Sequence, residues 1–147
     1  MTTLEAQIQI LLDKEEILDI SKRYNRYADV ADGENFAALW TADGEFDIVG
    51  DKVYKGAEQI SFACKAATQV VHTAVDSEIT VDGDKATQNS KLILFYKHPD
   101  GQNLDFALTT TITDELVKQG GKWYFKYRQS KTDLPFPIAL KKLGLVR

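Results

Sequence analysis

The chain holds two histidines and one cysteine, so its acid–base and thiol chemistry has few places to be. His72 lies in the apolar run Val70-Val71-His72, and His98 in the turn-forming stretch His98-Pro99-Asp100-Gly101. Neutral imidazole has an unperturbed pKa of about 6.5 and can take a proton at neutral pH. A carboxylate on its other nitrogen fixes the tautomer and stabilises the imidazolium that forms. General base catalysis of this kind supplies roughly 10²–10⁴-fold. Charge developing on a carbonyl or leaving oxygen then needs a donor, and tyrosine and arginine are suitable ones. The reaction open to such a set is proton removal beside an electron-withdrawing group, followed by elimination, isomerisation or ring closure. It requires no metal and no organic cofactor. Cys64 and two histidines alone cannot build a closed four-ligand zinc site. No Gly-rich phosphate loop, nucleophile elbow or HExxH stretch occurs.

The elements that would position these side chains follow from periodicity. Leu4, Ile8, Leu11, Leu12, Ile17, Ile20, Tyr24 and Tyr27 recur mainly at three- and four-residue steps, which predicts a long first helix. Thr2 with Glu5 resembles a capping box. Asp32-Gly33 ends the pattern, and Asp32 can cap a short helix over 34–41. Ala42-Asp43-Gly44 reads as a turn into a strand over 45–49, with a hairpin at Gly50-Asp51-Lys52 and a return strand over 53–55. A third helix is expected over 57–68. The second half reads as strands over 70–81, 85–97, 103–118 and 122–131, separated by Asp82-Gly83-Asp84, by the His98 turn and by Gln119-Gly120-Gly121. Pro135 and Pro137 precede a short helix expected over 138–143. Helices first and strands last argue for α+β: a cone-shaped, curved antiparallel sheet with the N-terminal helices packed on its concave face. A cone of this kind encloses a cavity, the default ligand site.

With 147 residues the chain fits one domain with a sizeable core. Its 44% hydrophobic and 27% charged residues exclude a disordered tail or a disulfide scaffold. The net charge of -4 argues against nucleic acid as a partner. Acidic residues in the first sixteen positions argue against a secretory leader. No apolar run reaches the roughly 18–20 residues of a membrane span. One cysteine, with no internal disulfide open to it, fits a reducing cytoplasm.

Several stretches, in this order and spacing, carry a resemblance. They are Tyr24-Asn25-Arg26-Tyr27-Ala28-Asp29-Val30-Ala31-Asp32, then Phe36-Ala37-Ala38-Leu39-Trp40-Thr41-Ala42-Asp43-Gly44. Tyr54-Lys55-Gly56-Ala57-Glu58-Gln59-Ile60, Val70-Val71-His72 and Gly121-Lys122-Trp123-Tyr124-Phe125 follow. Over roughly residues 13–133 the chain resembles the nuclear transport factor 2-like superfamily, and in particular its SnoaL-like branch. That branch includes scytalone dehydratase, a bile-acid dehydratase, a hexachlorocyclohexane dehydrochlorinase and polyketide cyclases. The resemblance implies an Asp late in the first helix, Asp29, orienting a His early in the first long strand, His72. It implies a tyrosine donor at Tyr24, as in ketosteroid isomerase and the bile-acid dehydratase, and a basic residue after the last Trp, Arg128. The base position of ketosteroid isomerase falls nearest Asp47. Arg128, Trp40, Ala28 and Asn25 are the candidate substrate contacts, and Asp29, His72 and Tyr24 the candidate catalytic groups.

Each residue also has a plainer reading. Asp29 can pair with Arg26 on the helix surface. His72 can be a core histidine bonded to backbone, Tyr24 a core tyrosine and Cys64 a small buried residue. About 100° per residue sets Asp29 some 140° from Tyr24, so the two can only flank a cavity centred on Ser21, Asn25 and Ala28. Strict alternation turns Arg128 away from Trp123 and Phe125 unless a bulge intervenes. Asp47 and His98 are expected at the surface. Three functions fit: a cofactor-independent lyase or isomerase acting on a small, largely apolar molecule; a non-catalytic small-molecule-binding domain; or an accessory subunit like the small subunits of ring-hydroxylating dioxygenases. The strand over 85–97 is apolar on both faces, which predicts a homodimer through the sheet's outer side.

Overall fold

The computed structural model describes residues 2–145. Helix α1 spans Leu4–Asp29, α2 Gly33–Ala37, α3 Gly56–Lys65 and α4 Phe136–Lys142. Strands β1 (Trp40–Ile48), β2 (Val53–Lys55), β3 (Val70–Asp82), β4 (Lys85–Lys97), β5 (Leu104–Gln119) and β6 (Lys122–Thr132) form one sheet in the order β2-β1-β6-β5-β4-β3. The α+β cone is as expected, with one difference in the sheet. β1 runs parallel to β6, so the sheet is mixed rather than wholly antiparallel. The two strands are far apart in sequence, and nothing local to either dictates their relative direction. Among the described residues, no helix is long and apolar enough to cross a membrane.

α1 is capped by Thr3, one residue later than Thr2, whose Oγ1 accepts from Ala6 N at 3.1 Å. Its buried side chains, Asp13, Ile17, Ile20, Ser21, Tyr24 and Ala28, trace one stripe toward the sheet. The stripe is anchored at Asp13. Its carboxylate accepts from Trp123 Nε1 and Lys118 Nζ, both at 3.0 Å. The helix overhangs the sheet before that point, and Leu4, Ile8, Leu11 and Leu12 are exposed rather than in the core. Burial pushes the Asp13 carboxyl up, and its bonds from Trp123, Lys118 and Gln9 outweigh that and leave it below the usual range.

α2 stops at Ala37, earlier than the periodicity predicts, because Trp40 already pairs with Phe125. Ala42-Asp43-Gly44 does turn the chain, but inside β1. From Trp40 to Glu45 the strand advances five residues while β6 advances only from Phe125 to Tyr127. Trp40 Nε1 ties the irregularity by donating to Glu45 O at 3.2 Å. α3 is also shorter than expected at its C-terminus, and α4 begins two residues earlier.

Curvature comes from bulges, which add twist and bend the strand that carries them. In β3 the register slips between Val75 and Glu78, where Asp76 adopts φ 53°. In β5 Ala107 is the extra residue between Phe106 and Leu108, so Leu104 and Phe106 face outward while Leu108, Thr110 and Ile112 stay inside. In β6 Lys126 is extra, and Arg128 therefore turns to the same side as Phe125. The β5–β6 turn holds Gly120 at φ 58° and Gly121 at φ 78°, the pair of positive angles a two-residue hairpin of type I′ requires. Beside the cavity, aromatic rings pack at tilted angles: Tyr24 and Phe36 ring centroids lie 4.7 Å apart, Trp40 and Phe125 5.0 Å.

Candidate active site

A cavity of about 320 Å³ remains between α1, α3 and the concave face, and α4 lies at its wide end. That volume is at the lower end of ordinary ligand pockets. Its wall is mostly apolar, with Phe36, Phe46, Leu92 and Leu94 prominent, and Phe136 and Leu140 come down from α4. Gly50, at φ 94°, lets the β1–β2 turn approach Phe136 so closely that a Cβ would stand 2.6 Å from that residue's Cβ.

His72 lines this cavity three residues into β3, where the strand passes the end of α1. Asp29, the last residue of α1, holds it twice. Asp29 Oδ1 accepts from the His72 backbone N–H at 2.9 Å and from ring Nδ1 at 2.8 Å. A carboxylate on Nδ1 draws the proton there and leaves Nε2 with its lone pair free. His72's side chain is 11% exposed and Asp29's 29%. Asp29 stands behind the ring rather than in the cavity wall, so it does not flank the cavity with Tyr24, and of the expected centre Ser21, Asn25 and Ala28 only Ala28 lines it.

Tyr24 lines the same cavity with its ring edge-on to His72, centroids 6.2 Å apart. Burial pushes its hydroxyl up to about 12, against the pull of the neighbouring Arg128, so it is a donor at neutral pH. Ala28 completes the α1 side of the wall.

The other expected contacts lie elsewhere. Arg128 faces inward but beneath the cavity, not in its wall, with 1% of its surface exposed. Its Nε and Nη2 donate to Asp114 Oδ1 and Oδ2 at 2.7 and 2.8 Å. Its guanidinium carbon stands 4.3 Å from the Tyr24 ring centroid. Burial opposes the charge on Arg128, and Asp114 more than restores it. Gln88 joins the group, donating to Asp114 Oδ2 and Ser21 Oγ at 2.8 and 2.9 Å. Trp40 is core, and Asn25 is half-buried off the cavity. Asp47 is on the outer face of β1, where it accepts from the Tyr127 hydroxyl. His98 sits in its turn, with Nε2 2.6 Å from Asp105 Oδ2. Cys64 lines the cavity, and burial pushes its thiol up to about 11, so it is not an activated nucleophile.

Asp114, Gln88 and Thr110 escape a reading of motifs alone. Asp114 did leave a signal. It occupies the same alternation phase as Ile112 and Leu116, and a carboxylate in a core phase demands a cation on a neighbouring strand. Among the described residues, no three His, Cys, Asp or Glu side chains group as a metal site.

The model of the SnoaL-like domain matches residues 9–129. A search of curated proteins finds no match. Among solved structures, a protein of unknown function with a cystatin-like fold from Nostoc punctiforme is 29% identical, covering 85% of this chain and 96% of its own, with a TM-score of 0.76. A nuclear transport factor 2-like protein from Novosphingobium aromaticivorans is 24% identical over 98% of this chain and 95% of its own, at a TM-score of 0.79. The type 3 hexachlorocyclohexane dehydrochlorinase LinA from Novosphingobium barchaimii is 17% identical, covering 87% and 91%, at a TM-score of 0.76. The last two show likeness of fold.

Proposed function

Since the chain belongs to the SnoaL-like domain family, we propose that it is a cofactor-independent lyase or isomerase, of the dehydratase or cyclase type. Its substrate is a small, largely apolar molecule with an acidic C–H beside a carbonyl or similar group. The observation that carries this reading is the 2.8 Å contact that fastens Asp29 to Nδ1 of His72 at the wall of an apolar cavity. His72 Nε2 takes the proton, and the C–H bonding pair moves toward the electron-withdrawing group. Asp29 stabilises the imidazolium that results. The Tyr24 hydroxyl donates to the oxygen on which charge collects. Arg128 acts through Tyr24 rather than on the substrate, since it lies behind that ring. The imidazolium then returns its proton, either to another carbon or to a leaving hydroxyl on the adjacent one.

Exchange of deuterium from solvent into 1-tetralone, at the carbon beside its carbonyl, tests the step without knowledge of the natural substrate. The wild-type protein accelerates it, and His72→Ala lowers the rate by about 10²–10⁴-fold. An unchanged rate in His72→Ala overturns the assignment.

The outer face of the sheet carries Leu104 and Phe106 exposed beside Ile93 and Phe95, and we read it as the interface of a homodimer. A cytoplasmic location accords with the single cysteine.

A further inference from the structure

Helix α1 carries two apolar stripes, and the fold buries one of them. At about 100° per residue, the buried Ile17, Ile20, Tyr24 and Ala28 point to one side, and the half-buried Ala6 and Ile10 continue that side toward the N-terminal end. Leu4, Ile8, Leu11 and Leu12 centre about 180° away, on the side turned from the sheet. All four are between 47 and 72% exposed. Periodicity in the sequence merges the two stripes, because each recurs at three- and four-residue steps.

The outward stripe is short and sharply bounded. Glu15, Asp19, Lys22 and Arg26 occupy the same side over the following turns, and all are exposed. Glu5 and Gln9 flank the stripe along one edge and Gln7 along the other. At roughly 100 Å² for each largely exposed side chain, it offers about 400 Å² of contiguous apolar surface, a size that often marks a contact site.

The chemistry around the stripe selects its occupant. Residues 4–16 hold four acidic side chains and one lysine. That is the opposite of the basic polar face that lays a helix on an anionic lipid surface. The stripe does complement itself. Leu4, Ile8 and Leu11 follow the four-and-three spacing of a seam between two helices. When two copies of α1 cross antiparallel about a two-fold axis, each stripe covers the other. Two such stripes with their polar rims come to about 1,000 Å², where specific association begins. The antiparallel sense also suits the charges. Within its own helix Glu15 pairs loosely with Lys22, at 3.8 Å. Antiparallel crossing sets Glu15 beside the partner's first helical turn, whose free backbone N–H groups favour a carboxylate. A parallel pair would set the two Glu15 side chains against one another.

We propose that the outward stripe at the N-terminal end of α1 docks a second copy of this chain, helix on antiparallel helix. The stripe faces away from the sheet, so it joins copies independently of the interface read on the sheet's outer face. This surface alone gives a dimer, and the two together give a dimer of dimers.

Sedimentation velocity of the full chain across the micromolar range tests it. Leu11→Glu puts a charge in the middle of the stripe, at an exposed position and with little change in helix propensity. It weakens association about tenfold or more and halves the mass of the assembly, while circular dichroism shows the wild-type helix content. Arg26→Glu, on the same side of α1 but beyond the stripe, leaves the mass unchanged. Glu15→Lys brings a cation to the partner's helix N-terminus and weakens association; association that is unchanged or tighter overturns the antiparallel arrangement. Phe106→Glu separates this surface from the outer face of the sheet. Where both interfaces form, wild type is a tetramer, Leu11→Glu and Phe106→Glu are each dimers, and the double variant is a monomer. Where the sheet interface fails, wild type is a dimer that Leu11→Glu alone dissociates. A mass that Leu11→Glu leaves unchanged overturns the proposal. So does a wild type that stays monomeric throughout, whether or not it sediments with phosphatidylcholine vesicles.

Discussion

Both histidines of this chain have a carboxylate at hydrogen-bond distance, and only one of them sits at a cavity. His72 and Asp29 meet at 2.8 Å between the end of α1 and the start of β3; His98 and Asp105 meet at 2.6 Å across the β4–β5 turn. The ring nitrogens differ. Asp29 takes Nδ1 and also the backbone N–H of the same residue, whereas Asp105 takes Nε2 alone. The surroundings differ more. His72 is nearly enclosed, while Asp105 is 66% exposed and the imidazole of His98 leans on the Tyr96 ring, centroids 4.7 Å apart. A His–carboxylate contact is thus common chemistry that water screens at a turn. It becomes a candidate catalytic device where a second element clamps the carboxylate and a cavity receives the free nitrogen.

The largest effect that separates the two pairs is expected from their carboxylates. Asp29→Asn keeps the shape but withdraws the charge that holds the proton on Nδ1. Deuterium exchange into 1-tetralone should fall by about 10²-fold or more, as loss of a tautomer-fixing carboxylate does elsewhere. Asp105→Asn should leave it within twofold. Equal losses in the two variants would mean that the cavity confers nothing on the pair beside it.

Tyr24 sharpens the contrast from the donor side. Tyr24→Phe should slow exchange by about tenfold, the scale of one donor hydrogen bond. It also carries a pH signature. The folded hydroxyl is raised to about 12 against an ordinary value near 10. Between those values the folded chain holds a proton that the unfolded chain has released. Tyr24 therefore contributes stability that is fully present below pH 10 and is lost as pH rises toward 12. Denaturant midpoints should decline across that window in wild type and decline less in Tyr24→Phe. Tyr54 is raised to the same value by burial and its bond to Asp51, so part of the decline should remain in the variant.

The resemblance implied the pairing of Asp29 with His72, and the sequence marks the ends of the elements that hold them: the helix runs out before Asp32-Gly33, and Val70-Val71-His72 opens a strand. Strand β4 lies between two strong turn signals, and its ends are where the turns put them. The bulges were not legible. Lys126 carries no mark that it is the extra residue of β6, yet that one residue decides that Arg128 faces the core and Asp114 instead of solvent. Ala107 does the same to Leu104 and Phe106, which strict alternation would have buried. The parallel seam of β1 on β6 joins segments about eighty residues apart, and it is set by packing rather than by local pattern.

The smallest effect belongs to His98 itself, and it bears on what the second pair is for. The contact spans seven residues, from the end of β4 to the second residue of β5, and the turn between them is already bonded through Asp100 to Gln102 N and Asn103 Nδ2 at 2.8 and 3.0 Å. Exposed ion pairs contribute about 0–1 kcal/mol. His98→Gln should therefore shift the urea midpoint by less than the equivalent of about 1 kcal/mol, and, where the imidazole is protonated, the difference between variant and wild type should shrink as salt is added. A larger loss would mean that His98 supports more than its own turn. The route would be Tyr96, whose ring packs against His98 and also meets Gly144, where a Cβ would stand 2.5 Å from the ring. Gly144 directly follows Leu143, which lines the cavity after α4. In that case the turn would brace the chain that covers the cavity, and His98→Gln would weaken 1-tetralone binding along with stability. If binding is unchanged, the two His–Asp pairs are independent, and the one at the turn supports only the turn.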